Sequence, residues 1–441
     1  MSTPATAAGQ GAGFDQGQGI RFGAPAVVVL PHRQGKGTPP LRSPESRLAE
    51  ACGLARAIAL DVVHAEVVAL RTASASMLFG KGQAERLAAA VAATGAELVV
   101  IDGKVSPIQQ RNLEKALKAK VIDRTGLILE IFGERASTSE GTLQVELAHL
   151  QYQASRLVRS WTHLERQRGG FGFLGGPGES QIETDRRLIR DRIVRLKTQL
   201  DDVKRTRGLH RRQRQKAPWP VVALVGYTNA GKSTLFNRLT GADVRAEDLL
   251  FATLDPTMRA IQLPGYDKVV LSDTVGFVSD LPTQLVAAFR ATLEEVTEAD
   301  LIIHIRDISH PDSDAQAADV MTVLADLGLA ADARQVPMLT VLNKIDRLDA
   351  EARAGVLSAT GGEAVAVSAL TGEGLDALCA HVATLLRSGS HMHDLLLDPS
   401  DGRRLAWLHE HGEVVGRDFG DDGLTVHVRL SDADRARFAG L

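Results

Sequence analysis

Residues 24–136 of the 441-residue chain alternate between short apolar runs and stretches with a helical spacing of apolar positions. Three runs have the length and character of buried strands: residues 26–30, 97–102 and 120–123. A helical pattern covers residues 83–94, and Ser106-Pro107 is typical of a helix start, with the serine as cap and the proline in the first turn. This alternation predicts a small parallel sheet covered by helices.

A different periodicity follows over residues 137–216, where apolar residues recur about every 3.5 positions. The first seam comprises Leu143, Leu147, Leu150, Ala154, Leu157, Trp161 and Leu164, and the second comprises Ile182, Ile189, Ile193, Leu196, Leu200 and Val203. Two such seams predict an antiparallel helical hairpin in which each seam is buried against the other. The connecting segment, residues 169–180, is rich in glycine and contains Phe171 and Phe173, which is unusual for a simple connector.

Strand and helix patterns alternate again from residue 217 to about residue 390. Apolar runs typical of strands lie at residues 220–225, 269–273, 339–342 and 364–367. Beyond them we predict a helix at 402–411 and strands at 413–417 and 424–430, with His391 and His393 in a solvent-exposed linker. The pattern therefore indicates a second, larger α/β domain followed by a small α+β appendage.

Length and composition agree with a globular protein of several domains. The chain has 44 % apolar and 24 % charged residues, as ordinary globular proteins do, and its length corresponds to roughly two to four domains. The predicted domains are a disordered tail at 1–20, an α/β subdomain at 21–136, the hairpin at 137–216, the larger α/β domain at 217–390 and the appendage at 391–441.

The chain carries no signal for a disulfide framework or for membrane insertion. Cys52 and Cys379 are far apart and lack the spacing of a metal site, so we expect a reducing compartment. No run approaches the roughly 18–20 apolar residues that span a bilayer, and residues 1–19 lack the pattern of a signal peptide. These features predict a cytoplasmic location without an integral membrane segment; peripheral association with a membrane is compatible with them.

The net charge of −3 conceals a strongly basic second helix of the hairpin. Its positive residues in the span 186–216 are Arg186, Arg187, Arg190, Arg192, Arg195, Lys197, Lys204, Arg205, Arg207, Arg211, Arg212, Arg214 and Lys216, and the acidic residues of that span are Asp191, Asp201 and Asp202. Such residues neutralise nucleic-acid phosphates, and aromatic rings stack on unpaired bases. The candidate RNA contacts are Phe171, Phe173, Arg186, Arg187 and Arg190. A solvated charged helix face is the alternative interpretation.

A phosphate-binding loop follows the run at residues 220–225. Residues 226–233 fit the pattern GxxxxGK[ST] between a predicted strand and a predicted helix, which is the context this motif requires. Backbone N–H groups at the helix start would bind phosphates, Lys232 would reach the β and γ phosphates, and Ser233 would offer an oxygen to Mg²⁺. The expected nucleotide contacts here are Gly226, Tyr227, Thr228, Asn229, Ala230, Gly231, Lys232, Ser233 and Thr234.

A DxxG motif follows the run at residues 269–273. It consists of Asp273, Thr274, Val275 and Gly276. Asp273 stands at the carboxyl end of a strand, where open α/β sheets bind ligands, and would hold Mg²⁺ through a water. The N–H of Gly276 would approach the γ-phosphate, so that the following segment senses whether that phosphate is present.

The segment between these two motifs contains a candidate switch threonine. Its residues are Phe251, Ala252, Thr253, Leu254 and Asp255. From its place in the chain, Thr253 would give Mg²⁺ a second side-chain oxygen in the GTP-bound state. We therefore assign Lys232, Thr253 and Gly276 as the residues that act in hydrolysis, with Ser233 and Thr253 as ligands of the metal.

A third motif selects the base. Asn343, Lys344, Ile345 and Asp346 form the pattern NKxD after the run at residues 339–342. The Asp346 carboxylate would accept from guanine N1–H and N2–H₂, whereas adenine presents no donor at these positions and would leave the carboxylate unpaired. The stem of Lys344 would lie along the base, and the backbone amides of Ser368, Ala369 and Leu370 would meet guanine O6. The expected ligands are GTP and GDP.

Phe277 stands directly after DxxG, where many GTPases have a glutamine that orients the attacking water. A phenylalanine side chain has no group that can do this. We therefore expect slow hydrolysis by the isolated protein, with the water positioned by another residue or by a partner.

These motifs together resemble the HflX family of GTPases over nearly all of residues 25–390. The resemblance rests on GYTNAGKS, FATLD, DTVGF and NKID, and on DRTGLILEIF (123–132), EGTLQVELA (140–148) and GGPGESQIETDRR (175–187). It implies a Ras-like G domain after the subdomain and hairpin, binding to the large ribosomal subunit and its rRNA, and GTP-linked splitting or rescue of stalled ribosomes. Gly175 stands where the family usually has arginine, which removes one expected RNA contact.

Three functions compete on the sequence alone. The first is the ribosome-associated GTPase, which would be monomeric and would not bind DNA. The second is a GTP-dependent regulatory switch that binds a protein partner and has no RNA role. This hypothesis gives the basic helix no function. The third is an enzyme that acts on RNA structure through the N-terminal domain, and it ranks last because the chain has no clear second phosphate loop.

Overall fold

The structure of this protein is a computed structural model, in which the chain forms two compact units. The first unit comprises residues 1–198, 247–254 and 280–289, and the second comprises the remainder. The described residues are 23–33, 42–167, 177–214, 219–242, 250–251, 257–280, 295–329, 336–360, 364–388, 390–420, 423–431, 435, 438–439 and 441. No helix within these ranges is long and apolar enough to cross a membrane.

The first unit contains a four-stranded sheet whose strands are all parallel. The strands are β1 (Pro25–Arg33), β2 (Asp61–Leu70), β3 (Leu98–Ile101) and β4 (Lys120–Asp123), in the order β2-β1-β3-β4. The valine run of β1 is fully buried, as expected where both faces of a parallel sheet are covered. This confirms the predicted parallel sheet. Sequence analysis missed β2 because it is an edge strand with several exposed positions.

Four helices accompany this sheet, and side-chain caps fix where several of them begin. They are α1 (Pro44–Ala57), α2 (Lys81–Thr94), α3 (Pro107–Leu117) and α4 (Arg124–Arg135). Ser43 caps α1 by accepting from the backbone N–H of Ser46. Ser106 caps α3, and Gln109 bonds back to the N–H of Ser106 in a capping box. The predicted Ser-Pro start is confirmed at α3.

Two long helices form the predicted hairpin, α5 (Ser139–Gln167) and α6 (Pro177–Arg214). Arg192 on α6 donates to Glu146 on α5 over 2.7 Å. Glu146 lies 21 residues before the end of α5 and Arg192 lies 15 residues after the start of α6, an offset that an antiparallel pair of helices allows. Leu196 and Leu200 of the predicted seam are buried on α6, whereas Leu188 and Val194, outside that seam, are exposed.

Asp123 connects β4, α4 and α5 through its buried carboxylate. Its Oδ1 accepts from the backbone N–H of Gly126 at 2.9 Å, which caps α4, and from the Tyr152 hydroxyl at 2.8 Å. Its Oδ2 accepts from Arg156 at 3.1 Å. Burial, followed by the nearby Asp123 carboxylate, raises the pKa of Tyr152 well above its usual range. One carboxylate thus anchors the first helix of the hairpin to the end of the sheet.

The second unit contains a six-stranded sheet in the order β10-β9-β8-β5-β7-β6. Its strands are β5 (Val221–Gly226), β6 (Thr257–Leu263), β7 (Tyr266–Asp273), β8 (Leu301–Asp307), β9 (Met338–Asn343) and β10 (Ala364–Ala366). All neighbouring pairs are parallel except β6 and β7. This is the mostly parallel sheet predicted for the G domain. Strand β5 lies inside the sheet, with β8, β9 and β10 on one side of it and β7 and β6 on the other.

The helices of this unit are α7 (Lys232–Thr240), α8 (Ser313–Asp326), α9 (Ala350–Ala359) and α10 (Leu375–Ser388), with a 3-10 turn at Ile345–Arg347. Leu235 and Phe236 of α7 and Leu378 and Val382 of α10 are buried in a common core with the sheet. These contacts fix α7 against the strands, so the start of α7 is held at the carboxyl end of β5.

The chain ends in a small antiparallel sheet, β11-β13-β12, with one helix. Its elements are β11 (Ser390–Leu397), α11 (Gly402–His411), β12 (Glu413–Gly420) and β13 (Gly423–Ser431). The predicted α+β appendage is confirmed, but the predicted linker at His391 and His393 was wrong: both belong to β11, and Nε2 of His393 is buried. Pairing with β13 creates this strand, and local periodicity does not reveal such pairing.

We predict that Asp123→Ala lowers the free energy of unfolding by about 3 kcal/mol, because it removes a helix cap and leaves the partly buried Arg156 and Tyr152 without their shared acceptor. Urea unfolding followed by circular dichroism measures the change. Asp61→Ala is the matched control, since Asp61 is exposed at the start of β2, and should cost less than about 0.5 kcal/mol. Equal effects of the two substitutions would refute the anchoring role.

Candidate nucleotide-binding site

The predicted motif residues meet at the carboxyl ends of neighbouring strands. Gly226 ends β5, Asp273 ends β7 and Asn343 ends β9, while Ser368 lies just beyond β10. Because these strands are neighbours in one largely parallel sheet, their carboxyl ends lie along one edge. The sheet order therefore brings together three motifs, of which the first and the third are more than a hundred residues apart in the chain.

Glycines shape the phosphate loop at two close approaches. A β-carbon on Gly226 would overlap the carbonyl oxygen of Ile305 on β8, and one on Gly231 would overlap the side-chain amide of Asn343. Gly231 also has a φ of 94°, in the left-handed region that favours glycine. These positions let the loop pass close to β8 and β9 while its N–H groups stay at the start of α7.

Lys232 is buried beneath the loop that it follows. Its Nζ donates to the carbonyl oxygens of Gly226 at 3.2 Å and of Tyr227 at 3.0 Å. Burial lowers the pKa of Lys232 to about 8, and the Asp273 carboxylate partly opposes this shift. Phosphates placed at the loop would favour the charged ammonium, so the residue is suited to bind anions.

Ser233 and Asp273 bring two hard oxygen ligands together. Ser233 Oγ donates to Asp273 Oδ2 over 2.8 Å, and Asp273 is fully buried. A hydroxyl and a carboxylate at this spacing fit Mg²⁺, which prefers oxygen ligands beside phosphates. Thr274 does not compete for this position, because its hydroxyl donates to the carbonyl of Leu224 at 2.6 Å.

The predicted switch segment is described only at its first residue. Ala252, Thr253, Leu254 and Asp255 lie outside the described residues. The side chain of Phe251 is buried in the first unit, where its ring packs edge-on against Phe132 with the centroids 4.7 Å apart. The contacts of residues 251–255 with the nucleotide stay a prediction.

Phe277 is tied to the phosphate loop through its backbone. Its N–H donates to Gly226 at 3.1 Å, and its carbonyl accepts from the N–H of Thr228 at 2.7 Å. The N–H of Ser279 donates to the Tyr227 hydroxyl at 2.7 Å. The side chain of Phe277 is itself buried. Sequence analysis missed this bridge, because no local pattern indicates pairing between the two loops.

Asn343 links the phosphate loop to the guanine loop. Its Nδ2 donates to the carbonyl of Ala230 at 2.8 Å, and its Oδ1 accepts from the N–H of Ala369 at 3.0 Å. Asp346 is held by the Ser368 hydroxyl, which donates to its Oδ1 over 2.6 Å. Both side chains are therefore oriented by protein groups. Of the other predicted residues, Ile345 is buried and Leu370 is largely exposed.

Asp307 is a further residue of the site, and sequence analysis did not name it. It ends β8, between β5 and β9, and its Oδ2 lies 2.8 Å from Nζ of Lys344. Ser309 donates to Asp307 Oδ1 from both its backbone and its hydroxyl. The ion pair fixes the amine of Lys344, whose stem was predicted to lie along the base. The position of Asp307, an acidic residue at the end of a buried strand, was the sequence feature that could have identified it as part of the site.

The candidate RNA contacts divide between described and undescribed residues. Phe171 and Phe173 lie outside the described residues. Arg187 and Arg190 on α6 are exposed, and Arg186 is partly exposed. The helix therefore presents positive side chains to solvent.

Four family models match successive parts of the chain. Their descriptions are "GTP-binding GTPase N-terminal" at residues 45–133, "GTP-binding GTPase Middle Region" at 135–214, "50S ribosome-binding GTPase" at 221–344 and "HflX C-terminal domain" at 356–439. The third model covers the phosphate loop, the DxxG motif and the first two residues of NKxD.

Curated relatives named "GTPase HflX" are similar over most of their length. The protein from Magnetococcus marinus is 51 % identical, covering 89 % of this chain and 90 % of the relative. The protein from Escherichia coli is 48 % identical, covering 81 % and 83 %. Among solved structures, "crystal structure of SsGBP and GDP complex" is 23 % identical, covers 83 % of this chain and 99 % of that chain, and has a TM-score of 0.47.

We predict that Asp346→Asn lowers the affinity for GDP by roughly 100-fold or more, because an amide presents a donor where guanine also presents donors. Fluorescence titration with labelled GDP measures the dissociation constant. Asp349→Asn makes the same chemical change at an exposed helix cap and should leave the affinity within about twofold. Equal affinity of the Asp346 variant and the parent would exclude this carboxylate from base recognition.

Proposed function

The chain belongs to the HflX family of GTPases, and on this premise we propose that it binds the large ribosomal subunit and uses the GTP cycle to split or rescue stalled ribosomes. GTP binding and hydrolysis are the activity of the family. The observation that carries the ribosomal proposal is the solvent-exposed arginine face of α6, seen at Arg187 and Arg190. The description "50S ribosome-binding GTPase" of the model matched at 221–344 supports it.

In the proposed GTP-bound state, Lys232 and the backbone N–H groups at the start of α7 hold the phosphates. We assign Mg²⁺ as the cofactor, with Ser233 and Thr253 as its side-chain ligands and Asp273 holding it through a water. When bound there, Mg²⁺ neutralises charge on the β and γ phosphates. The 2.8 Å contact between Ser233 and Asp273 supports this assignment.

The proposed signal of the nucleotide state starts at Gly276. A β-carbon on this residue would lie 3.0 Å from Nζ of Lys232, so its backbone runs beside the amine that binds the γ-phosphate. Loss of that phosphate would release the N–H of Gly276 and the hydroxyl of Thr253 together. The segments that follow these residues would then change conformation, and the affinity for the ribosome would change with them.

The proposed RNA contact is electrostatic. Arg187 and Arg190 stand three residues apart on α6, so both point to a similar side of the helix. Each arginine that neutralises an rRNA phosphate releases a counterion, which makes the affinity fall as the salt concentration rises. The exposed Arg195 and Lys197 extend the positive surface along the helix.

We predict that the protein pellets with large ribosomal subunits more strongly with a non-hydrolysable GTP analogue than with GDP. The double variant Arg187→Glu, Arg190→Glu should bind roughly 10–100-fold more weakly. The slope of a plot of log affinity against log salt concentration should be less steep by about two for this variant. Sedimentation over a series of salt concentrations measures both quantities.

The matched control is Arg86→Glu, Arg111→Glu, which reverses two exposed charges on α2 and α3. It should bind as the parent does. Pelleting that is absent with both nucleotides would contradict the proposal. Nucleotide-dependent binding that the α6 variant leaves unchanged would show that the arginine face is not the contact.

A further inference from the structure

Phe277 leaves the position after DxxG without a polar side chain. Its ring is buried, and both of its backbone groups are bonded to the phosphate loop. A glutamine in this position would orient the attacking water in many GTPases. If hydrolysis by this chain uses a polar side chain near the γ-phosphate, that side chain stands elsewhere in the site.

Among the described residues of the site, the buried hydroxyl oxygens have a hydrogen-bond partner, with one exception. Ser233 donates to Asp273, Thr274 donates to Leu224, and the Tyr227 hydroxyl accepts from Ser279. Thr228 is 6 % exposed, and its Oγ1 is buried without a hydrogen-bond partner. Buried hydroxyls are nearly always hydrogen-bonded in folded proteins, so an exception within a ligand site indicates that the ligand supplies the partner.

Thr228 lies beside Lys232 and Gly276, the two groups that we assign to the γ-phosphate. A β-carbon added to Gly276 would be 2.9 Å from Cγ2 of Thr228 and 3.0 Å from Nζ of Lys232. The Thr228 methyl group, the lysine amine and the Gly276 backbone thus lie close together, and the Thr228 hydroxyl is carried by the same β-carbon as that methyl group. The bond from the Thr228 N–H to the Phe277 carbonyl fixes the threonine backbone in that place.

We propose that the Thr228 hydroxyl is a catalytic residue of GTP hydrolysis, which contacts the attacking water and aligns it with the γ-phosphorus. A hydroxyl has one donor and two acceptor sites, so Oγ1 accepts from the water while its own proton is donated to a γ-phosphate oxygen. The water oxygen bonds to phosphorus as the bond from phosphorus to the bridging oxygen breaks. GDP keeps that electron pair, the proton of the water passes to the released phosphate, and Thr228 is unchanged.

Thr228→Val tests this role, because valine keeps the shape and removes the hydroxyl. Single-turnover hydrolysis, with the full-length protein in excess over GTP and no ribosomes present, should slow by roughly 100-fold, as on loss of one group that stabilises the transition state. The dissociation constant for GDP should stay within about twofold. Thr228→Ser keeps the hydroxyl and should hydrolyse at close to the parental rate.

Thr384→Val is the control for the substitution itself, since its hydroxyl bonds only to a carbonyl within α10. A Thr228→Val variant that hydrolyses GTP at the parental rate would overturn the proposal. So would loss of rate and of GDP affinity in parallel in both the valine and serine variants, because that result indicates a structural role.

Thermal unfolding establishes whether the valine variant is folded. If it is not, Thr228→Ala and Thr228→Ser decide in its place: a slow alanine variant with an active serine variant supports the role, and an active alanine variant excludes it. The proposal rests on GTP hydrolysis alone. Failure of the protein to bind ribosomes would leave this result unaffected.

Discussion

Phe277 exchanges two backbone hydrogen bonds with the phosphate loop, through Gly226 and Thr228. The bridge joins the end of β5 to the segment after β7, and the other contacts of the site extend from it. Lys232 can bind the carbonyls of Gly226 and Tyr227 only while the loop keeps this path. On the opposite side, Asn343 joins the loop to the guanine loop. The three motifs are thus cross-linked by protein groups.

The bridge also explains why a phenylalanine is compatible with a GTPase site. The backbone of Phe277 performs the structural task, and the buried ring shields those bonds from water. A polar side chain in the same place would need its own buried partner. As a consequence, the side chain of Phe277 offers no polar group to the attacking water. Another group must therefore contact the water, and we propose the hydroxyl of Thr228, whose N–H is part of the bridge.

Local motifs made much of the nucleotide site predictable from the sequence. The phosphate loop, Asp273 and Asp346 each lie at the end of a strand or within three residues of it, so a few neighbouring residues define their place. The ion pair of Asp307 depends on β8 and β9 being neighbours, and the link through Asn343 depends on the places of β5, β9 and β10 in the sheet, so neither was predictable in this way. The same holds for Asp123 with Tyr152 and for β11 with β13. The partners in these two pairs lie 27 or more residues apart.

Hydrogen exchange of the nucleotide-free protein tests most directly whether protein groups alone assemble the site. The amides of Phe277 and Thr228 are bonded to the opposite loop, so each should exchange at least about 100-fold more slowly than in an unstructured peptide. Addition of GDP should then change their exchange little. Exchange of these amides at the peptide rate, with protection only after GDP is added, would contradict the account, because the nucleotide would then assemble the site.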